Sequence, residues 1–280
     1  MHKSDCDVMA LNRIASRARQ AMVDSLISAG CGHPGGSFSS VDLMVALYFA
    51  VMKIDPQNPA WEERDRFVLS KGHSSVALYS VLHLRGFFNR EVLLTFRQDG
   101  SILGGHPDMH KVPGVEASTG SLGHGLSIGV GISLAAKLDR RSHRTFVLMG
   151  DGETQEGSVW EAAMSAAHYK LDNLVGIVDR NRIQIDGFTE DVMGLEPYAE
   201  KWRAFGWSVR EVDGHNMADV VRTLQSTPFE AGCPSLVISH TTKGKGISFM
   251  ENNPEWHGKA LNGEYAEIAR REAMSRLEDS

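Results

Sequence analysis

The chain has 280 residues, of which 42% are apolar and 23% charged, an ordinary globular composition that fits one large domain or two small ones. Its net charge of −6 argues against a nucleic-acid-binding protein, which needs a basic surface to contact phosphates. The three cysteines contain no C-x-x-C pair, so neither a zinc knuckle nor a disulfide framework is indicated, and we expect a cytoplasmic protein.

The first predicted elements are helices. Apolar residues over 11–26 fall on one helical face and predict an N-terminal helix. The glycine- and serine-rich segment 31–40 predicts a loop, and Ser39 with Asp42 predicts a capping box that begins an apolar helix ending near Met52. Its apolar stretch is shorter than the about 20 residues that span a bilayer, so we expect a buried helix and no membrane contact.

Further along the chain, short apolar strands alternate with helices. The predicted strands are 66–69, 146–149, 174–178, 207–212 and 236–239, and the predicted helices are 74–85, 159–169 and 218–224. This alternation is typical of an α/β fold, with a parallel sheet and helices on both faces. Ligands of such sheets bind beyond the carboxyl ends of the strands, so the residues that follow each strand are the first candidates for a site.

Polar sequences follow two of these strands. Asp151, between two glycines, comes after one strand, and Asn181 comes after the next. Parallel strands place both at one edge of the sheet, where carboxylate, amide and main-chain oxygens suit Mg²⁺ or Ca²⁺ and the glycines admit a diphosphate to a helix N-terminus. A tight turn with Asp151 as a helix cap is the alternative for this motif alone; the second polar loop favours the metal site.

Half of the twelve histidines lie next to a glycine in the sequence. Chance placement would put roughly two histidines next to a glycine, with glycine-rich turns taken as the neutral background. These histidines are His33, His73, His106, His124, His215 and His257. Histidines in glycine-rich loops are better placed to line a cleft than to pack in a core, and they can transfer protons near neutral pH. Any one of them alone fits a loop residue without a role equally well.

Seven motifs now stand in order along the chain. They are Gly-His-Pro-Gly at 32–35, Asp-Arg-Phe-Val-Leu-Ser-Lys-Gly-His at 65–73, Gly-His-Pro at 105–107, Ser-Thr-Gly-Ser-Leu-Gly at 118–123, Gly-Asp-Gly-Glu at 150–153, Asp-Arg-Asn-Arg-Ile-Gln at 179–184 and Trp-His-Gly at 256–258. With these motifs the sequence resembles the N-terminal, diphosphate-binding region of transketolases, over about residues 10–260. The Gly-His-Pro-Gly, Ser-Lys-Gly-His, Ser-Thr-Gly-Ser-Leu-Gly and Trp-His-Gly motifs together are specific to transketolase-like members of the thiamine-diphosphate enzymes.

The resemblance implies the roles of the matching residues. Mg²⁺, or alternatively Ca²⁺ or Mn²⁺, would be held by Asp151, Asn181 and the main-chain carbonyl of Ile183. The residues implied to bind thiamine diphosphate are His73, Gly120, Leu122, Asp151, Gly152, Glu156, Asn181 and His257, with Lys243 and Lys259 as weaker candidates. The implied catalytic residues are His33, His106 and His257. Glu156 and Glu161 match acids at the family's subunit interface, whereas His124 stands where members commonly have Gln.

The resemblance also implies a partner. It covers a single thiamine-diphosphate-binding domain (residues 1–280, core about 10–260), and neither the pyrimidine-binding nor the C-terminal domain is found. We therefore expect one subunit of a split transketolase, paired with a separate C-terminal subunit in a two-plus-two heterotetramer. Two-carbon ketol transfer between phosphorylated or free sugars is the expected reaction, in the manner of the pentose phosphate enzymes.

Other functions share parts of this pattern. A transketolase for unusual sugars and a 2-oxo acid dehydrogenase subunit have the same half-site; the Gly-His-Pro-Gly and Trp-His-Gly motifs favour ketol transfer without selecting the sugar. A nicotinamide-binding enzyme is disfavoured because no G-x-G-x-x-G follows a first strand. A zinc hydrolase lacks its H-E-x-x-H motif, and a non-catalytic stabilising subunit would not need the intact Asp151, Asn181 and histidine set.

Overall fold

The computed structural model describes residues 7–278, with side chains described through residue 275. The strands are β1 (Arg66–Leu69), β2 (Thr145–Gly150), β3 (Leu174–Arg180), β4 (Ile183–Gln184), β5 (Gly187–Phe188), β6 (Ser208–Asp213) and β7 (Ser235–His240). Five of them form a parallel sheet in the order β1-β2-β3-β7-β6, and β4 pairs with β5 as an antiparallel hairpin.

Helices surround this sheet. They are α1 (Val8–Ala29), α2 (Pro34–Ala46), α3 (Ser75–Arg85), α4 (Arg90–Leu93), α5 (His124–Leu138), α6 (Gly157–His168), α7 (Thr189–Val192), α8 (Tyr198–Ala204), α9 (Met217–Gln225) and α10 (Gly263–Glu278). A π-helical turn, Leu47–Val51, extends α2, and short 3₁₀ turns lie at Gly72–Ser74, Gly152–Gln155 and Pro254–Trp256. The predicted α/β class, strands and helices are confirmed to within two residues at most ends, whereas α4, α5, α7, α8, α10 and the β4–β5 hairpin were not predicted.

The predicted start of the second helix is wrong. The helix begins at Pro34 rather than at a Ser39 cap, because proline suits the first helical position, where no amide donor is needed. Ser39 lies inside the helix and donates hydrogen bonds to the Gly36 carbonyl and to Asp179. Asp42 forms a two-point ion pair with Arg19 instead of capping. The expected loop is therefore a helix N-terminus.

The core lies on both faces of the sheet. Alternate residues of β2 point to opposite sides: Phe146 and Leu148 join a cluster with α1, α2, α3 and α9, whereas Val147 and Met149 join one with α5, α6 and α8. This period of two is expected for a strand buried on both faces. The helical layers thus leave the strand ends, rather than the sheet faces, open to ligands.

The last helix extends the core beyond the predicted boundary near residue 260. Ala266, Ala269 and Ala273 of α10 are buried in the cluster that contains α1, because small side chains on one helical face let the two helices pack closely. Pro34–Val51 is long and apolar enough to cross a membrane by length and composition, but 89% of it is buried within the fold, as in many core helices. Cys31 and Cys233 are free thiols; Cys6 lies outside the described residues.

Candidate functional site

A cleft of about 380 Å³ lies at the carboxyl ends of β2 and β3. In the sheet register Gly150 pairs with Asp179, so the segments that follow these two strands emerge side by side. Most residues predicted for the site line this cleft: His33, His73, His106, Gly120, Leu122, Asp151, Gly152, Glu156, Asn181, Ile183, Lys243 and His257. Residues that are up to 224 positions apart in sequence thus share one cavity.

One end of the cleft, here called the oxygen end, is built around Asp151, whose side chain is nearly fully buried. Its Oδ1 accepts a hydrogen bond from the Gly152 amide at 2.7 Å, and its Oδ2 accepts one from the Arg182 amide at 2.6 Å. Burial and the nearby Asp179 raise the pKa of Asp151, and the Arg180 guanidinium, 3.2 Å away, opposes this. A buried carboxylate with both oxygens fixed is well suited to hold a cation.

Two neutral oxygens complete the oxygen end. The Asn181 amide nitrogen donates to Asp179 at 3.0 Å, and its Oδ1 accepts from the Ile183 amide at 3.1 Å, which fixes the orientation of the side chain. The Ile183 carbonyl accepts a hydrogen bond from the Lys243 ammonium at 2.9 Å and retains a second lone pair. With Asp151, these groups bring three oxygen atoms of the kind that a hard cation prefers to one cleft.

This donor set fits the expected metal. One carboxylate and two neutral oxygens are the ligands that Mg²⁺ accepts when phosphate oxygens and water complete its octahedron. No group of three His, Cys, Asp or Glu side chains suited to a metal occurs among residues 7–275. Gly152 packs closely against Gln184, since a Cβ on Gly152 would lie 2.7 Å from Cβ of Gln184.

A buried ion pair between Lys71 and Asp179 lies next to the oxygen end and supports it. Asp179 accepts hydrogen bonds from Lys71, Ser39, Asn181 and Thr241, and the Asp179 and Lys71 side chains are almost completely buried. Burial alone would raise the pKa of Asp179, but the adjacent ammonium holds it below its usual value. Sequence reasoning placed both residues within motifs and gave them no role. The signal available was a charged residue one or two positions after each of two predicted strands, 66–69 and 174–178.

Four histidines form the other end, here called the histidine end. Their ring centroids lie 5.4 Å apart for His33 and His73, 6.2 Å for His33 and His106, 5.8 Å for His33 and His257, and 5.1 Å for His73 and His257. Each comes from a different glycine-containing loop or helix start. The expectation that these histidines face a common cleft therefore agrees with their positions.

The imidazoles at this end are neutral near pH 7. Burial, followed by the Arg97 guanidinium, lowers the pKa of His33 and of His106. Burial and Lys243 lower the pKa of His257 to about 3, and burial and neighbouring cations hold the pKa of His73 well below its usual value. Neutral imidazoles can both accept and donate hydrogen bonds, which suits contacts with hydroxyl groups.

Lys243 joins the two ends of the cleft. Its Nζ lies 2.9 Å from the Ile183 carbonyl and 3.0 Å from His257 Nδ1. Since an ammonium group can only donate, Nδ1 is an acceptor and the neutral ring carries its proton on Nε2. Burial and the second lysine, Lys71, lower the pKa of Lys243 to about 8. The cleft therefore holds a cation positioned for an anionic ligand.

Four other residues singled out from the sequence lie outside the cleft lining among the described residues: Lys259, Glu161, His124 and His215, whose ring contacts Asp42 and the Thr242 amide. Lys259 donates to Glu255 at 3.2 Å and lies 5.0 Å from the Trp256 ring centroid, and its contact with a diphosphate stays a prediction. Glu161 is exposed on α6, and His124 is exposed at the start of α5. Short-range motif matching placed Lys259 near Trp256 and His257 but could not give its direction.

Comparisons with known proteins agree with this geometry. The family described as "Transketolase, thiamine diphosphate binding domain" matches residues 10–275. One subunit of the apulose-4-phosphate transketolase of Phocaeicola vulgatus is 49% identical over 97% of this chain and 96% of its own length. The 6-deoxy-6-sulfo-D-fructose transketolase subunit SqwG of a Clostridium species is 44% identical over 91% of this chain and 92% of its own.

Longer transketolases match over part of their length. Human transketolase is 38% identical over 99% of this chain but only 44% of its own length. The crystal structure of Campylobacter jejuni transketolase superimposes with a TM-score of 0.90 at 34% identity, covering 96% of this chain and 43% of that one. The chain thus spans less than half of these relatives and nearly all of the two shorter ones. The resemblance, the fold class and the transferase assignment are confirmed: the chain belongs to the transketolase family and contains its thiamine-diphosphate-binding domain.

Proposed function

We propose that this chain binds thiamine diphosphate with a divalent metal and, with a separate pyrimidine-binding subunit, transfers a two-carbon ketol unit from a ketose to an aldose. The observation that carries the proposal is the single cleft with three oxygen ligands at one end and four neutral histidines at the other. A metal-diphosphate group and a polyhydroxylated substrate need these two environments side by side.

The oxygen end would hold the metal through Asp151, Asn181 and the Ile183 carbonyl. Lys243, His73 and His257 line the same cavity and would contact the diphosphate, with Lys243 supplying positive charge. Bound thiamine diphosphate supplies an electron sink for the carbanion formed when a ketose carbon–carbon bond breaks. The fixed carboxylate and amide set the position of the metal before the cofactor arrives.

The histidine end would bind substrate hydroxyl groups. His33 and His106 are neutral because their pKa values are lowered, so each ring has one nitrogen that accepts and one that donates a proton. Such groups can take a proton from a hydroxyl and return it, an effect worth typically 10²–10⁴-fold in rate. The Gly120 backbone makes room for His106, since a Cβ there would lie 2.9 Å from the ring.

The partner is proposed from length and surface together. Relatives of about the same length are named as transketolase subunits, and Leu138, Met164 and Tyr169 are exposed apolar residues on or beside α5 and α6 that a second chain would cover. We propose a two-plus-two assembly in the cytoplasm. The donor would be an unusual ketose or ketose phosphate, because relatives named for apulose-4-phosphate and 6-deoxy-6-sulfo-D-fructose are similar over nearly the whole chain.

The test is calorimetric titration of thiamine diphosphate and Mg²⁺ into the chain co-expressed with its partner subunit, followed by a screen of ketose donors and aldose acceptors. Asp151→Asn should abolish metal-dependent binding and turnover with the fold intact, because it removes the negative charge of the one carboxylate among the three proposed ligands. Asp139→Asn, an exposed carboxylate at the end of α5, is the control and should behave as wild type. Full activity of Asp151→Asn would refute the metal assignment.

A further inference from the structure

Residues 183–197 form a connecting segment between β3 and α8 that we call the strap. It contains the β4–β5 hairpin and α7, and its first residues, Ile183, Gln184 and Ile185, line the cleft. The strap therefore supplies one of the three oxygen ligands at the oxygen end. Its remaining residues lie away from the cavity and have no part in the function proposed above.

Arg180, at the end of β3, connects the strap to Asp151. The Arg180 side chain is 2% exposed, and it does not line the cleft among the residues described. One terminal nitrogen donates to Asp151 at 3.2 Å and to Thr189 Oγ1 at 2.8 Å. The other donates at 2.9 Å to both Glu190 and Glu196 of the strap.

The strap is folded around this guanidinium. Glu190 also accepts the Leu195 amide of the strap at 3.1 Å, and Glu196 accepts the Tyr198 amide at the start of α8 at 2.8 Å, so both carboxylates bind backbone amides as well as Arg180. Removal of the guanidinium would leave these two carboxylates facing each other without a cation. The strap would then lose the contact that closes it.

A second connection reaches Asp151 from its backbone. The Arg180 guanidinium lies 5.3 Å from the Tyr198 ring centroid, the Tyr198 hydroxyl is 3.0 Å from Thr154 Oγ1, and Thr154 donates to the Asp151 carbonyl at 2.7 Å. Both the carboxylate and the backbone carbonyl of Asp151 are therefore connected to the Arg180 guanidinium. A planar guanidinium can bridge several acceptors at fixed angles, which a lysine ammonium cannot do in the same geometry.

We propose that Arg180 is a positioning residue that couples closure of the strap to metal-diphosphate binding. Arg180 holds Asp151 from the side away from the cleft, and it also clamps the strap that presents the Ile183 carbonyl. Binding of the metal and diphosphate should therefore order the strap, and an ordered strap should favour that binding. This inference rests on the proposed function. It predicts that residues remote from the cavity, Glu190 and Glu196, influence the metal through Arg180.

The experiment uses the co-expressed two-subunit enzyme with Mn²⁺ as the probe, in the presence of thiamine diphosphate. Mn²⁺ affinity is measured by electron paramagnetic resonance, and backbone hydrogen exchange of the strap is measured with and without Mn²⁺ and cofactor. In wild type, binding should slow exchange in the strap. Arg180→Lys and Arg180→Met should each weaken Mn²⁺ binding about 10–100-fold, as loss of ligand-orienting contacts does elsewhere, and the strap should exchange rapidly in both states.

Two further variants separate coupling from charge and from misfolding. The double variant Glu190→Gln, Glu196→Gln leaves Arg180 and Asp151 in place, and should loosen the strap and weaken Mn²⁺ binding by a smaller factor. Arg210→Met removes an exposed arginine that contacts Phe229 and Ser226, and should match wild type. If an Arg180 variant does not fold, the glutamate variant carries the test.

The outcomes are distinct. Wild-type Mn²⁺ affinity in Arg180→Lys, or wild-type strap protection in the glutamate variant, would overturn the coupling while leaving the proposed function intact. An enzyme that binds neither Mn²⁺ nor thiamine diphosphate in wild type would instead refute the proposed function itself. Weakened binding in the Arg180 and glutamate variants, with Arg210→Met unchanged, would support Arg180 as the coupling residue.

Discussion

The two ends of the cleft differ in how their side chains are held. At the oxygen end, Asp151 and Asn181 are fixed by hydrogen bonds from neighbouring backbone amides and from Arg180 or to Asp179. At the histidine end, no hydrogen bond within residues 7–275 reaches the rings of His33, His73 or His106, and the buried His33 Nδ1 has no partner. One end is complete within the chain, and the other has unused hydrogen-bonding capacity.

The difference follows from charge. A buried carboxylate must be paired and hydrogen-bonded in the folded chain, because burial of an unpaired charge costs much free energy. A neutral imidazole with one unsatisfied hydrogen-bonding nitrogen costs less. The Asp151 and Asn181 side chains of the oxygen end can therefore be held in place before any ligand binds. The histidine end retains donors and acceptors that a polyhydroxylated substrate would satisfy.

The largest effect should come from breaking the support of the oxygen end. Asp179→Ala leaves the Lys71 ammonium buried without its carboxylate, and such a loss typically costs about 3–5 kcal/mol. Denaturant unfolding of the chain measures this free energy. The control, Asp219→Ala, removes an exposed pair with Arg222 and should cost under about 1 kcal/mol; equal losses in the two variants would contradict the proposed difference.

A change at the histidine end should affect turnover alone. His106→Ala removes a neutral imidazole from the substrate side of the cleft, and we expect kcat to fall about 100-fold while the dissociation constant of thiamine diphosphate is unchanged. Steady-state kinetics and calorimetry measure the two quantities. His168→Ala, exposed at the end of α6, is the control. An unchanged kcat would remove His106 from the substrate contacts.

The smallest effect concerns Lys243, which lies between the two ends. Its pKa is lowered to about 8, so the free enzyme keeps the ammonium charge below that pH, and a bound diphosphate would raise the pKa. Affinity for thiamine diphosphate should be constant below about pH 8 and then fall by up to about tenfold per pH unit, until the pH reaches the higher pKa of the complex. Calorimetry across this range provides the measurement.

The matched variant is Lys243→Arg, since a guanidinium stays charged throughout this range. Its affinity should not decline above pH 8 in the way that the wild-type affinity does. A parallel decline in both proteins would assign the pH dependence to another group.

Local sequence patterns predicted the sheet and the edge at which the site lies. Buried strands alternating with helices imply parallel pairing, and parallel pairing places the residues after β2 and β3 side by side, as the register of Gly150 and Asp179 shows. The start of α2 was missed because the glycines that suggest a loop are tolerated at a helix start that packs closely. A Cβ on Gly35 would lie 2.8 Å from the Trp256 carbonyl, a contact that no local pattern reveals.

The sequence by itself thus determined the α/β class, the family and most residues that line the cleft, because these depend on periodicity and on short motifs. Only the tertiary structure decided that Lys71 neutralises Asp179, that Arg180 joins Asp151 to the strap, and that Lys259 pairs with Glu255. The physical reason is that the role of a charged side chain depends on the group with which it pairs. The Asp179 partner lies 108 positions away in the chain, beyond the reach of any spacing rule.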